Sequence, residues 1–109
     1  MIRRFERTEA QKRLVKKAKD YIRSIYENLG TLDFRYFDGC FRGFIHALGT
    51  AEIINHETEF NISKIDFCEL KKRRALVMVD FMLDSGFEAI QNGQKSLFDN
   101  VYEEAQIDE

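Results

Sequence analysis

Apolar positions recur at helical spacing along most of the chain, and the clearest run predicts a helix from Thr8 to Leu29. Leu14, Val15, Ala18, Tyr21, Ile22, Ile25, Tyr26 and Leu29 share an arc of about 140° when wound at about 100° per residue. Thr8, with Gln11 three residues on, reads as a capping box, and Gly30 stands where the helix should stop. A second helix is predicted from an Asp33 cap to about Leu48. Phe34, Phe37, Phe41, Phe44, Ile45 and Leu48 make an aromatic wedge on one side of it. Gly39, Cys40, Gly43 and Ala47 form a strip of small residues on another side, with Tyr36 at its margin. Glycine inside a helix costs about 0.8 to 1.0 kcal/mol relative to alanine, so the pair Gly39 and Gly43 predicts close approach of another backbone, within the chain or across a dimer axis.

The stretch from Ser63 to Gly86 predicts one long, largely enclosed helix, opened by Ser63 with Asp66 and closed by Gly86. Asp66, Glu69, Arg73, Asp80 and Asp84 fall on one narrow polar stripe, and most of the remaining circumference is apolar. Lys71, Lys72 and Arg74 interrupt the apolar arc in the first half, so burial is expected from Ala75 to Leu83. The run ALVMV alone would also suit a strand; its helical flanks and the absence of proline favour the helix. Between the second helix and this one, Thr50 is expected to cap a short helix reaching about Thr58, with a loop over Glu59 to Ile62. Beyond it Phe87, Ile90, Leu97, Phe98, Val101, Tyr102 and Ala105 again share an arc, consistent with a last helix kinked at Gly93. The pattern therefore predicts an all-α fold, a compact bundle of four or five helices. It forms a single domain over residues 1–109, with a flexible basic arm at 1–7 and an acidic tail at 106–109.

Composition changes this picture little: 44% hydrophobic and 33% charged residues, ten Phe and no Trp suit a folded chain rather than a disordered one. No signal-peptide pattern or membrane-length apolar run is present, and Cys40 and Cys68 sit at apolar-leaning positions, so a reducing cytoplasm is the expected setting. Charge changes it more. The formal net charge of -2 conceals a segregation in which residues 1–23 carry +6, 24–64 carry -3, 65–74 carry +2 and 75–109 carry -7. Lys12, Lys16, Lys19 and Arg23 stack along the first helix into a basic ridge about 16 Å long, with Tyr26 at its edge. The simplest account of such a ridge is a solvated face.

Catalytic chemistry finds little support. Cys40, His46, Glu52, His56 and Cys68 show no metal-ligand spacing, and no cofactor is expected. Neither cysteine has the setting of a nucleophile. Asp80 and Asp84 lie one turn apart and would suit a shared cation, although a water-facing stripe with Arg73 is the plainer reading. Arg35, Arg42 and His46 would suit a phosphate or carboxylate, again against the plainer reading of a solvated edge.

Two binding classes remain. The favoured expectation is a non-enzymatic interaction or regulatory protein, an adaptor or inhibitor, that binds a protein partner, or itself as a homodimer, through the basic helix face. The partner-binding residues would be Lys12, Lys16, Lys19, Arg23 and Tyr26, with Lys71, Lys72 and Arg74 second. The alternative is a nucleic-acid-binding regulator using the same cations, with Thr50 to Arg74 read as an incomplete helix-turn-helix.

Overall fold

The computed structural model describes residues 5–93, which form α1 (Glu9–Glu27), α2 (Phe34–Thr50), α3 (His56–Ser63) and α4 (Lys72–Gln91). Among the described residues there is no strand, and the fold is the all-α bundle the pattern predicts. The expectations for the last helix beyond Gly93, and for the acidic tail, lie outside the described residues. Each helix packs on its neighbours in a closed cycle: α1 touches α2 and α4, and α3 bridges α2 to α4.

The first helix forms as its sequence dictates. Thr8 Oγ1 accepts the Gln11 N–H at 3.1 Å and Gln11 Oε1 accepts the Thr8 N–H at 2.8 Å, a complete capping box. Gly30 follows the helix with φ of 82°. Val15, Ala18, Ile22 and Ile25 are its buried face. They meet Phe41 and Ile45 of α2, Ile54, Ile62, Phe67, and Val79, Leu83 and Phe87 of α4 in one core. Full burial of each such side chain is worth about 1.5 to 3 kcal/mol.

The long helix expected from Ser63 to Gly86 is corrected at both ends. Ser63 is the last residue of α3, whose cap is Asn55, so the loop expected at Glu59 to Ile62 is helical and the short helix is displaced toward the C-terminus. Residues 64–71 then form a turn. The Asp66 carboxylate accepts the Cys68 N–H at 2.9 Å, a local bond that competes with helix, and Arg42 donates to the carbonyls of Ser63 and Ile65. Phe67 is fully buried in this turn, edge-on to Phe41 at 5.3 Å and to Tyr26 at 6.0 Å. At the other end α4 runs straight through Gly86 to Gln91, and the left-handed residue is Gly93, with φ of 73°.

Gly86 is a point of close approach between α4 and the chain around the start of α3. A β-carbon there would lie 2.8 Å from Thr58 Cγ2 and 2.9 Å from Ile54 Cβ. Gly39 and Gly43, the positions expected to admit another backbone, have nothing within 4 Å of such a carbon, so no close contact is made there within the described residues. The inner end of the arm expected at 1–7 is docked: Phe5 packs on Phe87 with ring centroids 6.3 Å apart.

Candidate partner-binding face

Three contacts fix how α1 lies on α4: Arg7 reaches Asp84, Lys19 reaches Asp80, and the Tyr26 hydroxyl donates to the Leu70 carbonyl at 2.8 Å. The helices are therefore antiparallel, and the basic ridge of α1 runs along the shoulder that faces α4. Its C-terminal end, Arg23, therefore lies toward the start of α4, which carries Lys71, Lys72, Arg73 and Arg74. Ridge and collar, separated by some fifty residues of chain, become one positive border.

The acid stripe of α4 is not the water-facing stripe expected. Arg7 grips Asp84 through two hydrogen bonds, 2.6 Å from Nε and 2.9 Å from Nη2, and also pairs with Asp80. Lys19 completes the cluster from the other side of Asp80. Burial works against the charge on Asp80, but the hydrogen bonds and charges of Lys19 and Arg7 outweigh it and hold the carboxyl below its ordinary value. Asp80 and Asp84 thus anchor the N-terminal segment and α1 to α4. Lys19 is engaged in that work and is only partly accessible.

Tyr26 is structural in the same sense. Its ring meets Phe67 edge-on, its hydroxyl is bonded, and burial, aided by Cys68 and Asp66, raises its pKa above the ordinary tyrosine value. Lys12 and Arg23 are exposed and, among the described residues, make only local pairs, with Glu9 at 3.2 Å and Asp20 at 3.1 Å, contacts worth little in water. Lys16, Lys71, Lys72 and Arg74 are exposed, as is Arg73, and none makes an ion pair among the described residues. Three of these cations occupy the first turn of α4, where the helix dipole disfavours positive charge, and Lys71 at the N-cap provides no side-chain bond. Their placement does not serve the stability of the helix.

C-terminal to the collar, α4 exposes apolar side chains beside the ridge. Val77 is 49% and Phe81 61% exposed, and with Leu76, Lys19 and Asp80 they line a shallow cavity of about 120 Å³. A separate cavity of about 280 Å³ lies toward the far end of α4 between Phe5, Arg7, Lys12 and Asp84. Phe81 was expected inside the bundle from its position in a long apolar run. The available signal was angular: Val77 and Phe81 fall beside Arg73, Arg74 and Asp84 on the helix, away from the Ala75, Val79 and Leu83 stripe.

The other candidates dissolve into structural contacts. Arg42 pairs with Asp38 at 2.9 Å and holds the turn after α3, while His46 pairs with Glu59 at 2.9 Å, so the trio with Arg35 is not assembled. No group of three or more His, Cys, Asp or Glu side chains among the described residues could hold a metal ion. No described helix is long and apolar enough to cross a membrane. The helix-turn-helix reading fails because its second helix does not begin at Ser63. Comparison with protein-family models, curated proteins and solved structures returns no match.

Proposed function

We propose that this chain is a non-enzymatic interaction protein whose α1–α4 face binds a protein partner presenting an acidic, amphipathic segment. The observation that carries this reading is the exposed pair Val77 and Phe81 on α4, beside the basic ridge of α1 and following the cations at the start of α4. Apolar anchors of the partner would enter the cavity beside Phe81, and its carboxylates would meet Lys16, Arg23 and the Lys71 to Arg74 collar. Apolar contact at the centre with charge at the rim is the usual anatomy of a specific protein interface.

The second reading, nucleic-acid binding, draws on the collar, where four successive cations at a helix N-terminus make no ion pair among the described residues. Phe81 separates the two, because phosphate contacts are indifferent to an aromatic anchor on α4.

The test is the double variant Lys16→Glu with Arg23→Glu, titrated with a labelled synthetic helix that carries Leu and Phe at i and i+4 and Glu on its flanks. Affinity should fall about tenfold or more, equivalent to about 1.4 kcal/mol, with helical circular dichroism and melting point unchanged. Unaltered affinity, or loss of folding in the variant, would contradict the assignment.

A further inference from the structure

We infer that the partner seats a tyrosine in the cavity beside Phe81, its ring on the exposed apolar side chains and its hydroxyl on the Lys19–Asp80 ion pair. The inference rests on the reading of the α1–α4 face as a protein-binding surface and names the anchor that this surface selects.

The cavity of about 120 Å³ is apolar on one part only. Leu76, Val77 and Phe81 line that part, while Lys19 of α1 and Asp80 of α4 line the rest. The ion pair is still open to water, with 27% of the Lys19 side chain and 15% of the Asp80 side chain exposed. A wholly apolar anchor would strip that water and return nothing. Covering charged atoms without replacing their hydrogen bonds is unfavourable, so the occupant has to bring a polar group to this end of the cavity.

Charge narrows which group. Asp80 accepts from Arg7 on one carboxylate oxygen and from Lys19 on the other, and Arg7 also grips Asp84. Two cations against two carboxylates leave the cluster neutral as a whole. A carboxylate entering the cavity would gain Lys19 but lie against Asp80, and an ammonium would gain Asp80 but lie against Lys19. A neutral group that accepts and donates at once satisfies both. A hydroxyl does this: its oxygen accepts an N–H of the Lys19 ammonium that Asp80 does not use, and its O–H donates to a remaining lone pair of the Asp80 carboxylate.

The apolar part then selects the scaffold. A primary amide also accepts and donates, but it brings no ring to Val77 and to Phe81, which is 61% exposed. Tyrosine joins an apolar body to a polar tip, and its ring can meet that of Phe81 in the tilted or offset contact that aromatic pairs prefer. Both parts of the cavity are thereby matched by one side chain.

The test compares the synthetic acidic helix described above, which carries phenylalanine, with a counterpart carrying tyrosine at the same position. The parent protein should bind the tyrosine helix about fivefold more tightly. Lys19→Met removes the donor and leaves Asp80 bonded to Arg7, and it should reduce that preference to about twofold or less, whereas Lys19→Arg should retain it. Any loss of folded protein weakens both helices alike and cancels in the ratio. Equal affinities for the parent, or a preference for phenylalanine, would overturn the inference and leave the partner-binding role standing. A tyrosine preference that survives Lys19→Met would overturn it too, because the hydroxyl would then be held elsewhere. Binding of neither helix by the parent would overturn the partner-binding role, and the inference with it.

Discussion

Asp80 is the residue on which the α1–α4 contact turns, because two cations from different parts of the chain meet on its carboxylate. Its folded pKa lies below the unfolded value, so its contribution is fully present above about pH 4 and is lost as pH falls through the folded value. Asp80→Asn should therefore lower stability near neutrality by about 1 to 3 kcal/mol. It should also flatten the decline below about pH 4; chemical denaturation across that range checks both effects. The glycines make a second contrast. Gly86→Ala should destabilise by about 1 to 3 kcal/mol, because the new methyl meets the β-carbon of Ile54 and a methyl of Thr58. Gly43→Ala meets nothing within 4 Å among the described residues and should stabilise by about 0.8 to 1.0 kcal/mol through helix propensity. Thermal melts of the two variants should move in opposite directions.

At the scale of elements, α1 was legible almost to the residue because its cap, its arc and its terminal glycine agree with one another. The stretch from Ser63 to Gly86 was not. Its apolar content suited a helix throughout, and nothing local announced that Phe67 would be drawn into the core from a turn or that Arg42, more than twenty positions away, would hold that turn in place. Gly86 misled for a related reason: a glycine that admits a neighbouring helix looks the same in sequence as one that ends a helix. The site was half legible. The ridge and collar were read from spacing alone, while the diversion of Lys19 and Tyr26 to structural work, and the exposure of Val77 and Phe81, depend on the antiparallel pairing of α1 with α4. The start of α4 carries a prediction of its own. Lys71→Asp would supply the missing N-cap and a negative charge at the helix N-terminus, raising stability by about 1 kcal/mol. The same change should weaken partner binding, a trade that denaturation and titration of one variant would reveal together.

For the whole molecule, the segregation of charge along the sequence resolves into two uses. Part of the basic N-terminal region is matched internally, Arg7 and Lys19 against Asp80 and Asp84, and this holds the bundle closed. Others, Lys16 and Arg23 of that region and the Lys71 to Arg74 collar of α4, face outward beside the exposed Val77 and Phe81. The central claim is that this face recognises protein through those apolar side chains as well as through charge. Its most direct test is fluorescence anisotropy of Phe81→Asp beside the parent protein, titrated in parallel with the labelled acidic helix and with generic duplex DNA at low and high salt. The account predicts that the substitution abolishes binding of the acidic helix, and that any DNA binding present is weak, falls steeply with salt and declines no more than an added negative charge requires. Retention of acidic-helix binding by Phe81→Asp, or tight DNA binding by the parent at high salt, would contradict it.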